Sequence, residues 1–240
     1  MKAVILAGGR GTRLAPYTMV LPKPLVPLGH RPILDIIIRQ LAYYGIKDIT
    51  LTVGYLAELI QAYFTHASQE YADISISYVR EATPLGTAGP LRLIPGLDDT
   101  FLVMNGDILT TLDYSKIIEF HRANDAILTI GMHVKRVKVD LGVIEVGEAN
   151  RIVDYIEKPE KTYLVSMGVY VYEPAALKHI DPHEYLDFPD LVCRLINRGE
   201  KVVGYQCDEF WMDIGRHEDY VLAQNEFERM KHLFLPFEKI

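Results

Sequence analysis

Apolar and polar positions along the chain switch between two periods. Ala3 to Ala7 is a short continuous apolar run, which predicts a strand centred on Val4 to Leu6 and buried on both faces. Ile33, Leu34, Ile37, Leu41 and Tyr44 fall on one helical stripe, so a helix is predicted from Pro32 to about Gly45. Asp48 to Val53 returns to a strand pattern and Leu56 to Phe64 to a helical one. Ile74, Ile76 and Tyr78 alternate with serines, the mark of a strand with one wet face. Glycines and prolines between Glu81 and Pro90 predict a loop, followed by a helix through about Ile94. Phe101 to Met104 is a fourth buried strand, ending at Asn105-Gly106-Asp107.

The second half continues the alternation. Asp113 is placed to cap a helix from Tyr114 to Asn124. Ala126 to Val134 predicts a long strand, and Lys135, Arg136 and Lys138 after it a solvated connection. Leu141 to Ile144 and Ile152 to Ile156 pair as a hairpin across Gly147 to Asn150. Leu164 to Tyr172 is a strand interrupted by Gly168, Phe188 to Arg198 a helix, Val202 to Tyr205 a strand and His217 to about Leu233 a last helix. Strand and helix in turn predict a doubly wound α/β sheet. The apolar tail Leu233 to Phe237 either closes this domain or touches another copy of the chain; the sequence leaves both open.

With 240 residues, 49% hydrophobic and 24% charged, the chain suits one large α/β domain. Its net charge of −7 argues against general nucleic-acid binding, which needs a basic footprint. A nucleotide needs only a local cationic pocket. Cys193 and Cys207 stand apart, as buried thiols of a reducing compartment do, and the eight histidines have no zinc spacing. No run reaches the length of a signal-peptide core or a membrane span, so a cytoplasmic location is expected.

Chemistry concentrates in the first 28 residues. The first strand runs into Gly8-Gly9-Arg10-Gly11-Thr12-Arg13, and Pro22-Lys23-Pro24 follows. A strand feeding a Gly-rich loop brings backbone N–H groups close to anionic oxygens, and Arg13 and Lys23 add fixed positive charge. The prolines flanking Lys23 limit where its amine reaches. The loop lacks the third glycine of a dinucleotide fingerprint, having Leu14 there, and it is not a P-loop.

The stretch AGGRGTRLAPYTMVLPKPLVPLGHRPI resembles the signature of the sugar-1-phosphate nucleotidylyltransferases, and the resemblance covers nearly the whole chain. It implies a Rossmann-like, doubly wound mixed sheet in a single nucleotidyltransferase domain over 1–240. Residues 1–110 would be mainly the nucleotide-binding half and 111–240 mainly the sugar-phosphate half with the C-terminal helix. No C-terminal β-helix is expected. The resemblance further implies a nucleoside triphosphate, a sugar 1-phosphate and Mg²⁺ as partners, with Arg13, Lys23 and Asp107 catalytic. Leu6, Ala7, Gly8, Gly9, Gly11, Thr12, Glu81, Pro84, Gly86, Thr87, Asn105 and Gly106 would hold the nucleotide. Gly142, Glu157, Lys158, Ser166 and Gly168 would hold the sugar phosphate, Lys158 of the Glu157-Lys158-Pro159 motif gripping its phosphate. Asp107 and Asp213, the latter in Phe210-Trp211-Met212-Asp213-Ile214-Gly215, would bind the metal. Asp107 also follows a strand and a permissive glycine, where open α/β sheets bind ligands.

The form PLGTAGPL, Pro84 to Leu91, looks most like guanylyltransferases that make GDP-mannose. A physical point agrees: guanine offers two adjacent donors, and the Glu81 carboxylate accepts two parallel bonds, whereas uracil and thymine offer one donor between acceptors. Ser166 departs from the Asn common in the family at this place, so the sugar stays open among mannose, glucose, heptose and amino-sugar phosphates. Other bases stay open too. Two further readings compete: a non-catalytic sensor of nucleotide sugars, disfavoured by the presence of Arg13, Lys23, Asp107 and Asp213, and a dinucleotide-dependent oxidoreductase, disfavoured by Leu14.

Overall fold

The protein is described by a computed structural model over residues 1–81 and 83–237. Seven strands make the central sheet: β1 (Lys2–Ala7), β2 (Asp48–Val53), β3 (Ser75–Arg80), β4 (Phe101–Asn105), β5 (Leu128–Lys138), β6 (Glu160–Tyr172) and β7 (Val202–Gln206). Their spatial order is β7-β5-β6-β4-β1-β2-β3. β1 is parallel to β2 and β4, β2 to β3, and β5 to β7, while β6 is antiparallel to both neighbours. The sheet is therefore mixed, as expected, and strands from both halves of the chain share it.

Five α-helices flank it: α1 (Ile33–Tyr43), α2 (Ala57–His66), α3 (Tyr114–Ala123), α4 (Phe188–Asn197) and α5 (His217–Phe234). Successive strand residues point to opposite faces, and β1 needs apolar side chains on both. Ala3, Ile5 and Ala7 pack with residues of α1, α2, α3 and α5, whereas Val4 packs with α4. β4 divides in the same way, Leu102 and Met104 against Phe101 and Val103. Asp113 caps α3, its Oδ1 accepting the Ser115 N–H at 3.0 Å. The segment expected to be helical through Ile94 is a 3₁₀ turn, Gly89–Leu93. Phe234 and Leu235 are buried in the larger core, so the apolar tail closes the domain.

Two further expectations fail. Cys193, read as a buried thiol, lies off the α4 stripe that buries Leu191 and Leu195 and is exposed. Lys135, Arg136 and Lys138 form no connection: they extend β5 and pair with β6, Lys135 opposite Tyr163 and Lys138 opposite Glu160. Backbone pairing holds a strand together without burial of its side chains, and the polar composition hides it. Beyond that pairing the chain makes the hairpin Val143–Val146 with Ile152–Ile156, exposed throughout. The hairpin and the outer ends of β5 and β6 form a projecting arm. Among the described residues no β-helix follows α5, and no helix is long and apolar enough to cross a membrane.

Candidate active site

The carboxyl ends of β1 and β4 lie side by side, and the Gly106 N–H donates to Leu6 O at 2.9 Å. This places Leu6, Ala7, Gly8 and Gly9 of the first loop against Asn105, Gly106 and Asp107, around a cavity of about 420 Å³. No atom lies within 4 Å of where a Cβ on Gly9 would sit, so its backbone faces open space. Thr12 and Arg13 lie on a 3₁₀ turn, Thr12–Leu14. Gly11 has a packing duty that its sequence context conceals. Its φ is +61°, and a Cβ there would come within 2.9 Å of Lys23 Cβ. The absent side chain lets the loop lie directly on Lys23, which is buried and whose Nζ donates to Asp107 Oδ2.

Glu81, Pro84, Gly86 and Thr87 line the far side of this cavity. Glu81 Oε2 accepts the Leu85 N–H at 2.8 Å, and burial raises the carboxyl above its ordinary pKa, a shift that this bond opposes. Three lining residues, Thr52, Tyr185 and Asp187, escaped the sequence reading. Asp187 precedes α4 and has the look of a helix cap, yet its Oδ1 accepts from Thr87 N at 3.0 Å and Thr87 Oγ1 at 3.2 Å. The Thr87 hydroxyl in turn accepts the Phe188 N–H at 2.7 Å, so a loop distant in sequence caps the helix. Tyr185 OH donates to Asp187 Oδ2 at 3.0 Å. The only local signal was a cap-like Asp before Phe188-Pro189.

Asp107 and Asp213 are brought together by a short antiparallel ladder, Ile108–Thr110 with Trp211–Asp213, in which Asp213 pairs with Ile108. The Ile214 N–H donates to Asp107 O at 3.1 Å. Loss of water in the cleft raises the Asp213 pKa, the Asp107 charge raises it further, and Lys23 and Arg13 oppose the rise. Among the described residues no group of three or more His, Cys, Asp or Glu side chains is arranged to hold a metal. Two adjacent carboxylates that repel each other fit a divalent cation completing its shell with phosphate oxygens and water.

A second cavity, about 390 Å³, opens on the other side of Asp107 and shares Leu6, Thr87, Asn105 and Asp107 with the first. Arg13 and Asp213 line it, with Ser166 and Gly168 of β6. Tyr170 and Phe188 stack in its wall, centroids 3.8 Å apart. Gly168 has φ +70°, and a Cβ there would lie 2.6 Å from Asn105 Nδ2. The pairing of β6 with β5 slips between Ser166 and Tyr170, and the Ser166 hydroxyl bridges the slip, accepting from Gly168 N and donating to Tyr170 OH. Trp211 Nε1 donates to Met167 O at 2.8 Å, tying the ladder to the same point. Gly142, Glu157 and Lys158 line neither cavity; they lie on the exposed arm, where Tyr155 OH donates to Glu157 Oε2 at 3.1 Å.

Comparison with known proteins finds relatives over most of the chain. A mannose-1-phosphate guanyltransferase from Yarrowia lipolytica is 34% identical over 232 residues, covering 92% of this chain and 62% of the relative. A UTP–glucose-1-phosphate uridylyltransferase from Synechocystis is 33% identical, covering 92% and 61%. The chain thus spans about 62% of the length of the curated relatives it matches. The crystal structure of HddC from Yersinia pseudotuberculosis complexed with GMP-PN superposes with a TM-score of 0.70 at 26% identity, covering 94% of this chain and 99% of that one. The family model described as nucleotidyl transferase matches residues 2–230. The chain belongs to the nucleotidyl transferase family.

Proposed function

We propose that this chain transfers a nucleotidyl group from a nucleoside triphosphate to a sugar 1-phosphate, releasing pyrophosphate, and that the preferred pair is GTP and mannose 1-phosphate. The observation that carries the reading is Asp107 lining two cavities, one beneath the glycine loop and one beneath Ser166–Gly168, with Asp213 beside it in the second. A sugar phosphate oxygen attacks the α-phosphorus, so no side-chain nucleophile is required and catalysis is mainly positioning and charge neutralisation. Loop N–H groups of Gly8 to Thr12 and the Arg13 guanidinium hold the β- and γ-phosphates. Lys23, released from Asp107, bridges phosphate oxygens near the α-phosphorus. Ser166 and Gly168 line the cavity that receives the sugar phosphate, and Lys158 and Glu157, with Gly142, would contact it from the arm outside that cavity. Asp107 and Asp213 would hold Mg²⁺, which when bound supplies charge neutralisation between the two reacting anions.

Glu81 supports guanine. Its partly buried carboxylate lines the nucleotide cavity, one oxygen accepting from Leu85 among the described residues, and a guanine edge offers it two donors. The similar identity to a uridylyltransferase favours a second reading with the same chemistry, UTP with glucose 1-phosphate. The deciding experiment measures pyrophosphate release with Mg²⁺, crossing GTP, UTP, CTP, dTTP and ATP against a panel of sugar 1-phosphates. Release with GTP and mannose 1-phosphate supports the full reading. Release with another pair keeps the chemistry and replaces the base or sugar. Binding of nucleotide sugars without release from any pair would put a sensor in place of the enzyme.

A further inference from the structure

A third recess, about 500 Å³, adjoins the site behind Asp213. Arg13, Trp211 and Asp213 line both it and the sugar-side cavity, so they form the partition between the two. Beyond the partition the recess gathers Lys135 and Arg136 of β5 and Arg216 at the start of α5. Four cations, with Arg13, therefore face two carboxylates, Asp213 and Asp219, in a chain whose net charge is −7. The carboxylates are already engaged: Asp219 Oδ2 accepts the Arg216 N–H at 2.8 Å, and Asp213 faces the reacting centre. Arg136 has only a loose partner, Glu160 Oε1 at 3.8 Å, both side chains being exposed. A second, independent feature points the same way. His133 packs at a tilt against Trp211 in the recess, and its buried Nδ1 has no hydrogen-bond partner among the described residues. Such a nitrogen is open to a hydrogen bond from a water or a bound group.

We propose that this recess receives the leaving pyrophosphate, with Lys135, Arg136 and Arg216 taking it over from Arg13. The assignment rests on the nucleotidyl-transfer reading. In that reaction the bond from the sugar phosphate oxygen to the α-phosphorus forms as the bond to the β-phosphate bridging oxygen breaks, and pyrophosphate departs opposite the attacking oxygen. The attacking group would lie beneath Ser166–Gly168; the recess adjoins that cavity across Arg13, Trp211 and Asp213, and shares no lining residue with the cavity beneath the glycine loop. Arg13 spans loop and recess, because it sits on the loop that holds the β- and γ-phosphates and also lines the recess. Lys135, Arg136 and Arg216 touch only the product and are positioning residues for its departure.

The test compares wild type with Lys135→Ala/Arg136→Ala and, separately, Arg216→Ala. KM for pyrophosphate is measured in the reverse reaction, with the product-inhibition constant of pyrophosphate in the forward one. Each variant is expected to raise both constants about tenfold, as loss of charge-assisted contacts does, while KM for the triphosphate moves less than about twofold. Circular dichroism melting verifies that each variant is folded. Calorimetric titration of the folded proteins with pyrophosphate and Mg²⁺, no other substrate present, reads the site without turnover, and weaker binding by the variants is expected. Unchanged pyrophosphate constants would overturn the proposal. So would an equal rise in KM for the triphosphate, or a rise confined to the sugar phosphate, which would mark the recess as a pocket for an anionic sugar substituent. If no substrate pair releases pyrophosphate, the functional reading falls on that assay alone. The titration then still decides whether the recess binds the anion.

Discussion

The Lys23 ammonium donates directly to Asp107 Oδ2, joining a proline-flanked turn to the end of β4 across 84 residues of sequence. In the proposed reaction the cation would serve a phosphate and the carboxylate the metal, so substrate binding would exchange this pair for two others. Lys23→Met is expected to lower kcat by about 10²-fold or more, the scale of losing one charge-stabilising group. It should also lower stability, since it leaves the Asp107 carboxylate without its partly buried partner. Steady-state kinetics and urea denaturation measure both; a loss of stability with full activity would remove Lys23 from the mechanism.

Asp107→Asn and Asp213→Asn should each lower kcat by about 10² to 10³-fold, with the folded state retained. Circular dichroism spectra and melting curves check the fold, and chelation of divalent ions should abolish wild-type turnover. Unchanged turnover in either variant would withdraw that carboxylate from the metal site.

The pH dependence of nucleotide use should trace Glu81. Burial raises its folded pKa, so the ionised form is the disfavoured one; the carboxyl's contribution to fold stability is greatest at low pH and lost as pH rises through the folded value. The proposed recognition of guanine needs the ionised form. As pH is lowered from about 7 to about 5, KM for GTP is expected to rise in wild type and to rise less in Glu81→Gln. At neutral pH the same substitution should impair GTP use more than UTP use. Equal impairment of both would defeat the guanine argument.

Gly168→Ala probes the meeting of β6 with Asn105. The left-handed backbone costs an L-residue about 1–2 kcal/mol, and displacement of Asn105 adds to it, so a total loss of about 2 kcal/mol or more is expected. KM for the sugar phosphate should rise more than KM for the nucleotide. A stable variant with unaltered sugar kinetics would mean that this close approach has no part in the site.

The two thiols should differ in reactivity. Cys193 is exposed, whereas burial, helped by Glu209, pushes the Cys207 thiol up to about 12. One thiol per chain should react with a thiol reagent such as DTNB in the native state and two in denaturant. Two fast thiols in native protein would contradict this packing.

Much of the architecture was legible because it rests on local pattern. The α1 stripe, the continuous run of β1 and the Asp113 cap each show in a few neighbouring residues, and each stands where the pattern put it. What could not be read depends on partners far along the chain. Lys135 to Lys138 resemble a loop until paired with Glu160 to Tyr163. Asp187 resembles a cap for its own helix until Thr87 arrives to share it. Gly11 suggests an anion contact, and only the folded loop reveals that Lys23 packs where its side chain would be.

The single tryptophan of the chain, Trp211, is anchored to Met167 at the slip in β6, packs at a tilt against His133, and lines both the second cavity and the third recess. The molecule therefore carries a built-in optical probe. If the proposed sites are right, occupancy on either side of the partition would alter the surroundings of one indole, so its emission would report sugar phosphate or pyrophosphate with no label attached.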